Sequence, residues 1–210
     1  PPTPILSGLV GSEMCIRDSN ETVVSQLGVA LDKVNANDSV HTIVLDGAGK
    51  AFVAGADVKF FVDKIRADAI PDIVEFTTNG HIVLDKLESS SKTTVALTTG
   101  LALGGGLELA LACDYRIGTR RTQFRFPETS IGIYPGLGGA QRPARISGIP
   151  AARWAVLAGN FMDASTAADT TTTIDTNSTA ADDTHEDEDD DDDDNDDDDD
   201  DNGDNGSRSA

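Results

Sequence analysis

Apolar residues recur every three or four positions in the first regular stretch of the chain, which begins at Asn20. This is the period of one helix face, and Asn is a favoured residue directly before a helix. The residues of the apolar face are Val23, Val24, Leu27, Leu31 and Val34. A second stretch with the same period predicts another helix, which ends at residues 89–91. Its apolar face consists of Ile73, Phe76, Val83, Leu84 and Leu87.

Short runs rich in β-branched residues separate the helical stretches and predict strands. These runs are HTIVL at 41–45, TTVALTT at 93–99 and a segment near 115–119. A helix over about 106–113 follows the second strand, and a last helix over 150–159 has Pro near its start and Gly at its end. Strands that alternate with helices in this way favour the α/β class with largely parallel strand pairing.

Two glycine-rich segments each follow a predicted strand. The first is KAFVAGADVK at 50–59, and the second is LGGGLELALACD at 103–114. Glycines between a strand and a helix let another group approach the backbone, and the N–H groups at a helix N-terminus face that group. The segments therefore fit a phosphate cradle, an oxyanion hole or a packing turn without a ligand. Neither segment contains the dinucleotide fingerprint GxGxxG or the P-loop pattern.

Two glutamates beside glycine-rich sequence are the candidate catalytic residues. Glu108 falls two residues after the last glycine of the second segment, in the first turn of a predicted helix. Glu128 follows Pro127 in the stretch FRFPETSIGIYPGLGG. Two carboxylates that face one site can supply a general acid and a general base. Taken singly, Glu108 is equally explained by the helix dipole, and Glu128 as an ordinary loop residue.

Charge divides the chain into two parts. The 210 residues include 37 acidic and 16 basic residues, for a net charge of −21, and residues 165–210 hold 20 of the acids and one arginine. The remaining body is nearly neutral and long enough for one domain with its own core. The acidic end has almost no apolar residues, so it cannot offset the entropy of ordering and is expected to be disordered.

Several classes of protein do not fit this composition. The basic residues are few and scattered, so we expect no nucleic-acid partner. Cys15 and Cys113 are too few for a disulfide framework, which favours a reducing compartment. The three histidines lack metal-ligand spacing, and no metal is expected. Neither an apolar run of membrane-spanning length nor a signal peptide is recognised, so a cytoplasmic location is expected, with an organelle left open.

The first 19 residues show neither a helical nor a strand period. The string GSEMCIRDS at 11–19 resembles a translated adaptor sequence, so this leader is expected to be artefactual, with a short native leader as the alternative. The sequence thus predicts a leader at 1–19, a folded domain at 20–163 and a disordered poly-aspartate tail at 164–210.

Three stretches carry a resemblance to a known family. GKAFVAGADVKFF, LALGGGLELALACDYRI and PETSIGIYPGLGGAQR are similar to the signature stretches of the crotonase superfamily, the enoyl-CoA hydratases and isomerases, in order and in spacing. The similarity runs from about residue 21 to residue 162. It implies an α/β spiral of ββα units, incomplete here, and acyl-CoA thioesters as ligands. Because coenzyme A is part of such substrates, no separate cofactor is expected.

The resemblance also implies roles for particular residues, by motif position. The backbone N–H groups of Ala56 and Gly105 match the oxyanion-hole donors, and Glu108 and Glu128 match the two catalytic glutamates. Gly136 matches the glycine beside the reacting carbon. The positions that match the coenzyme A-binding residues are Lys50, Ala54, Asp57 and Lys59.

The presence of both glutamates favours a hydratase, because the resemblance implies that isomerases can work with the equivalent of Glu128 alone. The expected activity is syn addition of water to trans-2-enoyl-CoA thioesters in fatty-acid β-oxidation. In that reaction Glu108 activates the water and Glu128 donates a proton to C2. A Δ3-Δ2-enoyl-CoA isomerase is the alternative.

The chain departs from the family pattern at both ends and is expected to be truncated there. Residues 1–19 do not resemble the opening strands of the family. After FMDASTAAD, the acidic tail stands where family members continue with helices that cover the acyl site and build a trimer. The trimer, or dimer of trimers, is therefore doubtful here. A non-catalytic acyl-CoA-binding or assembly protein is the second alternative function.

Overall fold

Helices and strands alternate along the chain in a computed structural model, which describes residues 21–47, 51–170 and 173–175. Within these residues the helices are α1 (Glu21–Asn35), α2 (Val58–Arg66), α3 (Ile70–Glu88), α4 (Gly105–Leu111), a 3₁₀ helix η1 (Glu128–Ile131), α5 (Gln141–Ser147), α6 (Ile149–Ala158) and α7 (Ala164–Thr170). The strands are β1 (Thr42–Asp46), β2 (Ala51–Val53), β3 (Thr93–Thr98), β4 (Leu101–Leu103), β5 (Tyr115–Gly118), β6 (Gln123–Arg125), β7 (Met162–Asp163) and β8 (Thr173–Asp175).

The strands form two sheets. The first sheet has the order β1-β3-β5-β8, and all of its neighbours are parallel. The second sheet has the order β2-β4-β6-β7, in which β2, β4 and β6 are parallel and β7 is antiparallel to β6. Parallel neighbours need a crossover between them, and here each crossover runs through the other sheet and through helices.

Successive strand pairs build the two sheets together. The pairs β1 and β2, β3 and β4, and β5 and β6 each give one strand to the first sheet and the next strand to the second, and helices follow each pair. The predicted α/β spiral of ββα units is therefore confirmed.

One continuous apolar core joins the helices to both sheets. Leu31 of α1 and Leu87 of α3 are buried in it, together with Phe52 of β2 and Phe124 of β6. Burial of such a side chain contributes about 1.5–3 kcal/mol. Because strands of the second sheet reach this core, the loops that leave the ends of β2 and β6 start from fixed positions.

Most elements predicted from periodicity are confirmed. The helix predicted after Asn20 is α1, although Asn20 itself lies outside the described residues. The strands predicted at 41–45 and 93–99 are β1 and β3, each shifted or shortened by one residue. The last predicted helix is α6, and Gly159, at φ +58°, follows it in the left-handed conformation expected of a C′ glycine.

The regular chain continues past the predicted domain boundary at 163. Residues assigned to the tail form α7, in which Ala164 and Ala167 are buried, and β8, which pairs with β5. The predicted boundary lies too early in the chain. Alanine, serine and threonine are only weakly apolar, so the sequence pattern did not indicate that this segment is packed. Small residues are needed at this point, since a Cβ on Gly118 would lie 3.0 Å from Cβ of Ala164. The leader at 1–19 and residues 176–210 lie outside the described residues.

Substitution of Gly106 by Ala is expected to destabilise the fold, because α4 packs directly on β2 at this residue. A Cβ on Gly106 would collide with the carbonyl oxygen of Val53 and lie 2.7 Å from its Cβ. We expect a loss of about 1–3 kcal/mol in the free energy of unfolding, measured by urea denaturation. Gly136→Ala is the control, since a Cβ there meets nothing within 4 Å. An equal loss in both variants would contradict this packing.

Candidate active site

The parallel strands of the second sheet end at one edge, and three loops leave from it. Val53 pairs with Ala102, and Leu103 pairs with Arg125, so the ends of β2, β4 and β6 lie side by side. In parallel α/β sheets, ligands bind outside the carboxyl ends of the strands. The loops after β2, β4 and β6 are therefore candidates for parts of one site.

The loop after β2 turns beside the end of β4. Gly55 has a φ of +108°, which favours glycine, and a Cβ placed on it would lie 3.8 Å from the carbonyl oxygen of Leu103. Gly106 of α4 also packs against Val53 of β2, so a second contact brings the same two loops together. Ala56 and Gly105, the two predicted amide donors, therefore lie in neighbouring loops.

Gly104 shapes the backbone at the start of α4. Its φ of +49° and ψ of −118° are rarely adopted by residues with a Cβ, and its N–H donates to the carbonyl oxygen of Arg125 at 2.9 Å. Gly105 is the first residue of α4, so its N–H has no acceptor within the helix. An N–H group at this position is suited to donate to a ligand.

Glu108 is buried in α4, and two backbone amides hold its carboxylate. The residue is 1% exposed, and its Oε1 accepts hydrogen bonds from the N–H groups of Leu137 and Gly139, both at 2.7 Å. Gly139 approaches so closely because it has no side chain. A Cβ there would lie 2.6 Å from Cε1 of Phe126 and from Cβ of Pro135.

Burial raises the pKa of Glu108 to about 7. Loss of solvent around the charged form is the main cause, and the negative charge of Glu128 adds to it. The hydrogen bonds from Gly139 and Leu137 lower the pKa, as does the positive charge of Arg142. The carboxyl group of Glu108 therefore exchanges its proton near neutral pH, which suits a general base.

Glu128 is the first residue of η1, and its carboxylate lies against Gly104. A Cβ on Gly104 would collide with Oε1 of Glu128. Oε2 is buried and has no hydrogen-bond partner among the described residues. Burial raises the pKa of Glu128, which favours the protonated form. A protonated carboxyl beside the start of α4 is suited to donate a proton.

The predicted coenzyme A-binding positions fall into different environments. Ala54 is half-buried in the loop after β2, and Lys59 is exposed in the first turn of α2. Asp57 caps α2, because its Oδ1 accepts hydrogen bonds from the N–H groups of Lys59 at 2.9 Å and Phe60 at 3.3 Å. Its carboxylate therefore has a structural task. Lys50 lies outside the described residues.

The loop between η1 and α5 completes the site, and the sequence did not predict its main role. This loop supplies the amides of Leu137 and Gly139 that hold Glu108, and the neighbouring Gly136 is exposed. The only signal in the sequence was the glycine pair 138–139 in PGLGG. Among the described residues, no group of His, Cys, Asp and Glu side chains is arranged to hold a metal ion.

The two sheets are built from successive ββα units, which defines a spiral α/β fold. Two buried carboxyl groups lie beside glycine-rich loops at one edge of the second sheet and form a candidate acid–base site. Residues 19–190 match the family model described as enoyl-CoA hydratase/isomerase, and the chain belongs to this family.

Similar proteins include hydratases of known sequence and of known structure. The chain is 36% identical over 148 residues to the probable enoyl-CoA hydratase echA8 of Mycobacterium bovis, covering 70% of this chain and 55% of that protein. It is 38% identical over 130 residues to the crotonyl-CoA hydratase of Syntrophomonas wolfei, covering 61% and 48%. The crystal structure of an enoyl-CoA hydratase from Bacillus anthracis matches with a TM-score of 0.67 at 28% identity, covering 75% of this chain and 60% of that one.

The chain spans about half the length of these curated relatives. The residues that match the family model include the segment from α1 to α6, which holds both glutamates and both glycine loops. Of the helices in the described part of the chain, none is both long enough and apolar enough to cross a bilayer.

Proposed function

We propose that this site adds water across the double bond of 2-enoyl-CoA thioesters, as a hydratase of fatty-acid oxidation. The observation that carries the proposal is the pair of glutamates, Glu108 and Glu128, whose pKa values burial raises at one strand edge. Two carboxyls in different environments are suited to act as base and acid in one reaction. Glu108 is held by amides, whereas Oε2 of Glu128 has no partner among the described residues.

The proposed reaction forms one C–O bond and one C–H bond. Glu108 takes a proton from water while the water oxygen bonds to C3, and the electron pair of the double bond moves onto the thioester oxygen. The N–H groups of Ala56 and Gly105 would hold that oxygen, and donors of this kind contribute about 3–4 kcal/mol each. Collapse of the enolate then takes a proton from Glu128 onto C2, which gives the 3-hydroxyacyl-CoA.

The coenzyme A part of the substrate would extend along the loop after β2. Ala54 contributes backbone there, and the exposed Lys59 supplies a positive charge for a phosphate group. Gly136 would lie beside the reacting carbons, because the adjoining residues of its loop hold Glu108.

The experiment that tests the proposal is an assay of the full chain with crotonyl-CoA, followed by the ultraviolet absorbance of the enoyl thioester. A loss of that absorbance supports hydration. An absorbance that stays constant in the presence of the folded protein contradicts the proposal. A 3-enoyl-CoA substrate tests the isomerase alternative in parallel. Calorimetry with the same thioester identifies a binding protein, for which heat of binding is expected without turnover.

The pH dependence of kcat/KM is expected to follow the ionisation of Glu108. Since only its anion can accept a proton from water, and its pKa is raised to about 7, kcat/KM should fall about tenfold per pH unit below about pH 7. Glu128 must keep its proton for the reaction, and burial raises its pKa, so the ionisation of Glu128 limits the rate on the alkaline side. A rate that stays constant down to about pH 5 would contradict the assignment of Glu108 as the base.

A further inference from the structure

Arg142 in α5 is a buried cation to which the proposed reaction gives no role. It is 5% exposed, and its Nη2 donates to Oε2 of Glu88 at 3.0 Å and lies 3.5 Å from Oδ1 of Asp85, both on α3. Its Nη1 donates to the carbonyl oxygen of Leu137. A charge that is this well buried requires partners, and here one of them is the loop that holds Glu108.

Arg142 and Glu108 hold opposite sides of the same short loop. The N–H of Leu137 donates to Glu108, whereas its carbonyl oxygen accepts from the Arg142 guanidinium. The next carbonyl oxygen, that of Gly138, accepts the backbone N–H of Arg142 at 2.9 Å. Gly139 then donates to Glu108. The direction of both amides towards the carboxylate therefore depends on where Arg142 holds the backbone.

The long helix α3 provides the anchor for this arrangement. Glu88 near its end binds the guanidinium, and Gly80 receives the side chain of Leu137. A Cβ on Gly80 would lie 2.6 Å from Cδ2 of Leu137, so the loop rests directly on the helix. The loop is thus fixed to α3 at two points, one apolar and one ionic.

The charge of Arg142 favours the ionised form of Glu108, as do the two amides of the loop that Arg142 holds. The positive charge of Arg142 lowers the pKa of Glu108, against burial and the charge of Glu128, which both raise it. Arg142 forms ion pairs with Asp85 and Glu88, and Arg145 lies 3.6 Å from the same Glu88 carboxylate. Two further charged residues, Asp114 and Arg116, line the cavity that Arg142 and Arg145 also line. Of Arg142 and Arg145, Arg142 is the one that donates a hydrogen bond to the loop, within the part of the chain that the structure describes.

We infer that Arg142 is a positioning residue for Glu108. It holds the backbone of residues 137–138 so that two amides orient the carboxylate, and it couples this loop to α3 through Glu88. The inference rests on the proposed function for its kinetic consequences, but the geometry can also be tested without turnover.

The kinetic test compares Arg142→Met with Arg145→Met in the full chain. Arg142→Met should lower kcat about 10- to 100-fold with crotonyl-CoA, change KM by less than about twofold, and move the rising limb of the pH profile to higher pH. Arg142→Lys should recover part of kcat, because it restores the charge without the planar fork. Arg145→Met removes an exposed arginine next to the same glutamate and should leave kcat and the pH profile unchanged.

The second readout is the pH titration of the Leu137 and Gly139 amide protons by nuclear magnetic resonance. Both should report a midpoint near 7 in the parent protein, and Arg142→Met should shift their positions and raise that midpoint, whereas Arg145→Met should not. If the parent lacks hydratase activity and this pattern is found, the proposed function fails and the positioning role stands. Titrations that are the same in both variants overturn the positioning role, whatever the activity.

Loss of folding in Arg142→Met would not end the test. Glu88→Gln keeps the shape of the α3 anchor and removes its negative charge. The positive charge of Arg142 then acts on Glu108 with less compensation, so the same midpoint should fall, by a smaller amount than Arg142→Met raises it. An unchanged midpoint in Glu88→Gln, together with normal amide positions in Arg142→Lys, overturns the inference.

Discussion

Replacement of Glu108 by Gln is expected to lower kcat for hydration of crotonyl-CoA about 10²- to 10⁴-fold, the usual contribution of general acid–base catalysis. The amide oxygen of Gln can still accept the hydrogen bonds from Leu137 and Gly139, so the loop should keep its place. What is lost is the group that takes the proton from water. The measurement is steady-state turnover, with the folded state checked by circular dichroism.

Glu75→Gln is the matched control for this variant, because Glu75 is an exposed glutamate on α3 and has no role in the proposed reaction. It should retain full activity. If the site also isomerises 3-enoyl-CoA, Glu108→Gln should retain that reaction, because moving the double bond transfers protons between carbons and uses no water. Hydration at the parent rate in Glu108→Gln means that another group activates the water.

Replacement of Glu128 by Gln is expected to lower kcat for both hydration and isomerisation, each by about 10²- to 10⁴-fold. In the proposed reaction Glu128 moves the proton at C2, and a Gln side chain cannot do so. Because Oε2 has no hydrogen-bond partner among the described residues, the substitution breaks no hydrogen bond of that atom. The loss should therefore appear in kcat and leave KM nearly unchanged.

Substrate binding separates a chemical loss in Glu128→Gln from a structural one. Calorimetry should give the same affinity for a saturated acyl-CoA in the parent and in the variant. Isomerisation that persists in Glu128→Gln would show that Glu128 does not handle the proton at C2. The two glutamate variants together thus assign one proton transfer to each residue.

The sequence predicted β1, β3 and β5 of the first sheet and the helices α1 and α3, since these elements are long enough to carry a period. It missed β8, which has only three residues. β1 and β3 have five and six residues, and α1 and α3 have 15 and 19. The second sheet could not be predicted, because β2, β4 and β6 have only three residues each. Three residues carry no alternation, and such strands form only when neighbouring strands supply their hydrogen bonds. α7 was missed because its buried residues are alanines.

The sequence by itself determined which residue types were available: two glutamates, two glycine-rich turns and the order of the elements that carry them. Only the tertiary structure decided that Leu137 and Gly139 hold Glu108 and that Arg142 lies behind the loop. These contacts join residues about 30 positions apart, or depend on where a short loop rests. Local preference fixes the backbone of a turn, but contacts between distant segments form only when the sheets bring them together.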